Sequence, residues 1–63
     1  MKKGDVVMIY EDPVTEQKPE GPSELLKLIS SDGQLDENSR LEIWKVKFLD
    51  DGIVTERSIK TKV

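Results

Sequence analysis

The sequence contains no cysteine and no histidine, and each absence excludes a class of chemistry. Without cysteine there can be no disulfide, no thiolate metal ligand and no cysteine nucleophile. Without histidine the commonest general base and the commonest neutral metal ligand are missing, so a Ser-His-Asp triad is impossible. Because small secreted domains usually depend on disulfides to offset a small core, we expect this chain to work in the reducing cytoplasm.

Aromatic residues and long apolar runs are also scarce. The chain has one Trp, one Tyr and one Phe, and its longest apolar run, Val6 to Tyr10, is far shorter than the roughly 20 residues that span a membrane. At 63 residues we expect one domain over 1–63, which buries only about 60% of its extended-chain surface. The core should therefore be thin, and we expect a soluble protein with no internal catalytic cavity.

The remaining residues form no recognisable catalytic or metal-binding pattern. Acidic pairs such as Asp50-Asp51 are neighbours in sequence, and neighbours on a strand point to opposite faces. The four glycines are spread one per turn and make no phosphate-binding loop. The serines lie where turn formation explains them. We therefore expect no enzyme activity, no cofactor and no metal.

Charge is unevenly divided along the chain. The net charge is −3, but residues 1–39 carry −5 and residues 40–63 carry +2. This asymmetry could attract an anionic partner to one side of the domain. Alternatively, lysines simply keep exposed strand faces wet and discourage aggregation. The residues that would bind a polyanion are Lys45, Lys47, Arg57, Lys60 and Lys62.

The clearest structural signal lies between Leu41 and Ile59. Apolar residues alternate there with lysines, which is the period-two pattern of a strand with one buried and one exposed face. The apolar residues are Trp44, Val46 and Phe48, and the lysines are Lys45 and Lys47. The Asp51-Gly52 step supplies the positive φ angles of a tight turn, and β-branched residues resume directly after it. The segment predicts an antiparallel hairpin.

Before this hairpin, the sequence predicts a first strand and a long loop. Residues 5–10 predict the strand, with Val7 and Ile9 facing inward. Residues 14–22, which contain two prolines and a glycine, predict a long surface loop.

Residues 23–31 fit either a strand or a helix. The four aliphatic residues of the segment have the spacing of a helical stripe, and Ser23 could cap a helix. As a strand, the segment would place Leu26 and Leu28 inward and Leu25 outward. We favour the strand because a second long strand lets a small sheet curl and close; a helix would instead give a small α+β layer.

After the hairpin turn, the sequence predicts a fourth strand over 53–57, a short 3₁₀ turn at Ser58-Ile59 and a brief fifth strand over 60–63. The strands would enclose one core, which we predict to consist of Val7, Ile9, Leu28, Val46, Phe48 and Val54.

These strand starts and turns resemble the small SH3-like barrels, including the short versions found in phages and bacterial mobile elements. The residues that carry the resemblance are Lys3-Gly4-Asp5, Asp12-Pro13, Glu20-Gly21, Trp44 to Phe48, Asp51-Gly52 and Arg57 to Ile59. The resemblance covers nearly the whole chain. It implies an all-β fold: a half-open barrel of four to five antiparallel strands with a long first loop and a short 3₁₀ turn. This fold hosts many unrelated functions.

The opening Lys3-Gly4-Asp5 and Asp12-Pro13 also resemble the start of the endoribonuclease toxins of toxin–antitoxin pairs, which share an SH3-like core. Those toxins carry an arginine beside the glycine-proline step after the first loop, whereas here Glu20 and Ser23 flank Gly21-Pro22. The toxins are also longer and contain helices for which this chain has no room. We therefore do not expect toxin activity.

An SH3-like fold implies a ligand groove between the first long loop and the third strand. We predict that it binds a partner through Tyr10, Glu16, Lys18 and Trp44, since Trp and Tyr pair a large apolar face with a polar tip. As the only tryptophan, Trp44 could instead belong to the core. The sequence thus predicts a non-enzymatic module that binds a protein or peptide, as a monomer or weak homodimer. Two alternatives remain: a nucleic-acid-binding accessory domain that uses the basic C-terminal half, and a self-associating structural protein.

Overall fold

The structure, a computed structural model, describes residues 1–62 apart from the side chain of Asp32. Four antiparallel strands lie in the sheet in the order of the chain: β1 (Val6–Asp12), β2 (Gln17–Gln34), β3 (Ser39–Phe48) and β4 (Val54–Lys62). The predicted all-β class is confirmed, and residues 23–31 belong to a strand rather than a helix. The structure has no helix within 1–62 that could cross a bilayer.

The first hairpin is tighter than the sequence predicts. Asp12 pairs with Gln17, so a four-residue turn replaces the long loop expected over 14–22, and β2 runs through both prolines of that segment. Pairing with β3 begins only at Ser23. Pro19 and Pro22 therefore lie where one side of β2 has no ladder, and their missing N–H groups interrupt no pairing.

Strand β2 is irregular where it crosses β3. Leu25 lies opposite Val46, but two residues later Lys27 lies opposite Lys45, the immediate neighbour of Val46. Leu26 is thus an extra residue, and two further register shifts follow before Gln34. Such bulges bend a strand and increase its twist. The bulges therefore let this long strand curve around the core.

The bulges make the predicted orientation of this strand wrong. Leu25, predicted to face outward, is fully buried at 0% exposure, whereas Leu28, predicted to face inward, is 42% exposed. Leu28 lies opposite Trp44, directly before the next register shift, and its side chain is largely exposed in this irregular part of β2. A strict period of two cannot anticipate a face switch at a bulge.

The second hairpin is confirmed. The Gly52 backbone N–H donates to the Phe48 carbonyl at 2.8 Å, and the Phe48 N–H donates to the Ile53 carbonyl at 2.9 Å. Gly52 has φ of 74°, the left-handed conformation that an Asp-Gly step favours. From this turn, β3 and β4 pair without a register shift as far as Ser39 and Lys62.

The end of the chain differs from the prediction. Ser58 and Ile59 belong to β4 instead of forming a 3₁₀ turn, and Ile59 is buried opposite Glu42. Val54, predicted to face inward, lies opposite Lys47 on the exposed face, because the turn places Thr55 opposite Val46. Lys60 to Lys62 continue β4; the rest of the predicted fifth strand, Val63, lies outside the described residues.

The core is small and lies on one face of the curled sheet. Its buried apolar members are Ile9, Leu25, Trp44, Val46 and Ile59, with Val7 and Phe48 packed against them. The prediction of Val7, Ile9, Val46 and Phe48 is thus confirmed. Leu28 and Val54 are replaced by Leu25, Trp44 and Ile59.

A buried carboxylate lies beside this core. Glu42 Oε1 accepts a hydrogen bond from Trp44 Nε1 at 3.0 Å. Glu42 Oε2 forms an ion pair with Arg40 Nη2 at 3.2 Å. The Glu42 residue is only 5% exposed, while the Arg40 side chain is 42% exposed. Both carboxylate oxygens therefore have partners, which a buried charge requires.

Candidate functional site

The two edge strands, β1 and β4, approach each other without pairing. Some of their Cα atoms lie within 8 Å, yet no ladder joins the two strands in residues 1–62. Where the strands approach this closely, the gap is smaller than the roughly 9.6 Å that a further strand between them would need. The sheet is therefore an open, strongly curled meander.

A hollow of about 210 Å³ lies in the seam. Its walls come from both edge strands: Val7, Met8 and Tyr10 from β1, and Ser58 and Lys60 from β4. Its base is formed by Ile9 and Ile59, two buried residues of the core. Small-molecule sites usually measure about 300–1,000 Å³, so this hollow has room for one or two partner side chains.

Two shallower hollows continue from the first. One of about 390 Å³ shares Tyr10, Pro13 and Ser58 with it and adds three glutamates and Arg57. Another of about 280 Å³ lies beyond the Glu20 and Arg57 side chains, next to Phe48 and Ile53. We call the three adjoining hollows the seam groove; its central residues are Tyr10, Pro13, Glu20, Arg57, Ser58 and Lys60.

Arg57 is held in the seam groove by several partners. Its Nε donates to Glu20 Oε1 at 3.0 Å, and its Nη1 donates to Thr55 Oγ1 at 3.3 Å and to the Glu56 carbonyl at 3.0 Å. The guanidinium carbon lies 5.9 Å from the centre of the Phe48 ring, within cation–π range. Arg57 therefore ties β4 to β2 across the concave face.

Lys60 forms a second bridge. Its Nζ donates to the Val14 carbonyl at 3.4 Å, which links β4 to the turn between β1 and β2. At the base of that turn, the hydroxyl and backbone N–H of Thr15 hold the pKa of Asp12 below its ordinary value. The turn thus has its own local bonds as well as the bridge to β4.

The structure brings together two of the four residues predicted to bind a protein partner. Tyr10 is half-buried and Glu16 is exposed, and both line the first hollow. Lys18 is exposed on β2 and does not line the groove. Trp44 is 5% exposed and lies in the core, the second of the two positions that the sequence allowed.

Of the five bases predicted to bind a polyanion, the register places four on the outer face of the sheet and Arg57 on the core side. Arg57 lies opposite Trp44 on the core side, where it is bonded to Glu20. Lys45 and Lys47 are exposed on the other face of β3, and Lys62 is exposed at the end of β4. Lys60 reaches the seam. The pairing adds Lys27, directly opposite Lys45, to the outer face.

Several groove residues were missed at the level of sequence. Ser58 and Ile59 were assigned to a 3₁₀ turn, so their approach to β1 was not anticipated. The Asp12-Pro13 step did mark a turn, but nothing in the local sequence indicates that the turn lies against β4, because this contact depends on the curl of the whole sheet.

The seam groove offers apolar surface, hydrogen-bonding groups and charge. In the part of the chain that the structure describes, no group of three or more acidic side chains is placed to hold a metal ion. Comparison with known protein families, curated proteins and solved structures finds no match for this chain.

Proposed function

We propose that this chain is a non-enzymatic interaction module that binds a protein partner in the seam groove. The observation that carries the proposal is the first hollow, which opens between two unpaired strand edges onto the buried core residues Ile9 and Ile59. Binding sites are typically concave and mostly apolar, with a few polar groups that fix orientation. Here Tyr10, Ser58 and Lys60 supply such groups at the rim.

The size of the hollow favours a protein partner over a small molecule. At about 210 Å³ it accepts side chains rather than a whole ligand. Tyr10 adds an aromatic face with a polar tip at the junction of the first two hollows. Aromatic residues of this kind often dominate the energy of protein interfaces.

The proposal includes a finer description of the fold and setting. A four-stranded meander that curls until its edges nearly meet is the arrangement we expect of a half-open, SH3-like barrel. In this proposal the binding groove lies between the edge strands and Trp44 supports it from the core. We place the interaction in the cytoplasm because the chain has no cysteine.

Selection of random twelve-residue peptides against the intact chain tests the proposal. Peptides that bind should shift the backbone amide signals of Tyr10, Ser58 and Ile59 in ¹⁵N-labelled protein. Ser58→Tyr, which fills the groove, should weaken binding at least tenfold, whereas Glu37→Tyr, in the loop between β2 and β3, should not. Binders that tolerate Ser58→Tyr and shift signals elsewhere would refute the proposal.

A further inference from the structure

We infer that the segment bound in the seam groove is extended and carries an apolar residue two positions away from a lysine or arginine, so that both side chains lie on one face. The apolar side chain fills the first hollow and the cation lies over the second. This inference rests on the proposed function and specifies the chemistry of its partner. Three features favour this segment: the distribution of charge along the groove, the partners that the groove's two cationic side chains already have, and the spacing of the seam.

The seam groove carries as much net negative charge as the whole chain. The side chains that line it include five acids and two bases, a net side-chain charge of −3: Glu11, Glu16, Glu20, Asp51 and Glu56 against Arg57 and Lys60. The net charge of the full sequence is also −3. A cleft lined mainly by one sign of charge concentrates partners of the opposite sign.

The two cations of the groove already have partners, and several of its acids do not. Arg57 is bonded to Glu20, and Lys60 is bonded to a backbone carbonyl. In residues 1–62 no lysine or arginine forms an ion pair with Glu11, Glu16 or Glu56. An incoming cation would therefore meet free carboxylates, and complementary charge favours that partner over an anionic one.

The order of the hollows assigns the position of each partner side chain. The first hollow has a base of Ile9 and Ile59 and suits an apolar group. The second adjoins it through Tyr10 and Ser58 and contains Glu11 and Glu56. In an extended chain, side chains two residues apart lie on one face at about 7 Å, so a pattern of apolar, any residue, basic matches adjoining hollows.

The segment must lie over the seam rather than enter the sheet. Inserting a strand would require β1 and β4 to stand about 9.6 Å apart, whereas some of their Cα atoms lie within 8 Å. Affinity should therefore come from side chains and from the rim rather than from a new ladder.

Four synthetic peptides test the inference by titration into the ¹⁵N-labelled chain. The parent is Ser-Thr-Leu-Thr-Lys-Thr-Ser, and the others replace its lysine with glutamine, its lysine with glutamate, or its leucine with serine. We expect the parent to bind tightest. Loss of the cation should cost about two- to fivefold, the range for an exposed ion pair, and loss of the leucine about tenfold or more.

Matched variants of the chain assign the effect to the groove. Glu56→Gln should weaken the lysine peptide about two- to fivefold and leave the glutamine peptide unchanged. Glu37→Gln makes the same change of charge outside the groove and should affect neither. Raising the salt concentration should weaken the lysine peptide more than the glutamine peptide, because exposed charges are screened.

Failure of the inference can be distinguished from failure of the proposed function. If the glutamine or glutamate peptide binds the groove as tightly as the lysine peptide, the cationic assignment is wrong although the groove still binds peptides. If the serine replacement has no effect, the apolar assignment is wrong. If neither these peptides nor the selected twelve-residue peptides shift Tyr10 and Ser58, the proposed function is wrong and the inference falls with it.

Discussion

Glu42 is the residue whose burial most needs a physical account. A carboxylate that is 5% exposed loses most of its hydration and must regain hydrogen bonds within the protein. The Trp44 indole and the Arg40 guanidinium supply them, one to each oxygen. Such an arrangement adds little net stability when intact, but removing one partner leaves a buried group unsatisfied. Trp44 therefore serves both as the largest core side chain and as a hydrogen-bond donor.

A double-mutant cycle tests the coupling between these side chains. Trp44→Phe keeps an aromatic ring but removes the donor, so we expect a cost of about 1–3 kcal/mol for the unsatisfied carboxylate beyond the effect of the smaller ring. Combined with Glu42→Leu, it should cost less than the sum of the single changes, by about 1 kcal/mol. Urea unfolding of the four proteins measures this coupling, and strictly additive costs would contradict it.

The reversed orientation of two leucines in β2 gives a second test at the residue scale. Leu25 is fully buried, so Leu25→Ala should cost about 2–5 kcal/mol. A domain of this size has only about 3–5 kcal/mol in total, so the variant should be largely unfolded at 25 °C. Leu28→Ala is the matched control and should cost less than about 1 kcal/mol, because its side chain is largely exposed. Circular dichroism in urea measures both, and similar losses would contradict the contrast between a buried Leu25 and an exposed Leu28.

At the scale of the strands, the success of a prediction depended on how regular the pairing is. The inward face of β3, including Val46, could be read from local alternation, because β3 and β4 pair without a register shift. The face of β2 could not, since the bulge at Leu26 is set by its pairing with β3. Likewise, the prolines at 19 and 22 led to the prediction of a loop. They are tolerated in β2 because pairing with β3 begins only after them, and the sequence does not show where that pairing begins. Local pattern predicts a strand, and its partner decides its register.

The candidate site was predictable only in part, for a related reason. Tyr10 and Glu16, which were predicted from the resemblance to barrels whose groove adjoins the first loop, both line the first hollow. Trp44 was predicted to contact the partner, with the core as the alternative, and it lies in the core. Ser58 was missed because its contact with β1 joins residues at opposite ends of the chain. No local signal encodes such a contact; it follows from the curl that the bulges give β2.

The β3–β4 turn offers a prediction at the element scale. A Cβ at Gly52 would meet only the Lys47 side chain, at 3.9 Å, so the cost of a side chain there is conformational rather than steric. With φ of 74°, Gly52→Ala should cost about 1–2 kcal/mol and lower Tm by several degrees. Gly52→Asn should cost less, because Asn tolerates the left-handed region. Equal Tm values for alanine, asparagine and glycine would contradict this account.

At the scale of the whole molecule, the chain is an open sheet whose core reaches the surface at the seam. The seam exposes the edge of the core between β1 and β4. Within residues 1–62, few side-chain bonds hold β4 beside the seam: the Arg57–Glu20 ion pair ties it to β2, and the Lys60–Val14 hydrogen bond ties it to the first turn. Regions with few crossing contacts open locally at low cost, so the seam should be the least protected part of the sheet.

Lys60→Met tests this view of the molecule. It removes the bridge to the Val14 carbonyl while keeping an apolar stem, so global stability should fall by less than about 1 kcal/mol. Local opening should nevertheless rise, with the amides of Ile9 and Ile59 exchanging with solvent about two- to fivefold faster, while the amide of Val46, between two paired strands, is unchanged. Lys62→Met, on the same strand but outside the groove, makes the same change of charge and should leave all three rates alone. Uniformly faster exchange in both variants would mean that the seam does not open independently of the rest of the sheet. A peptide bound in the groove would then not be expected to slow amide exchange at the seam before it slows exchange elsewhere.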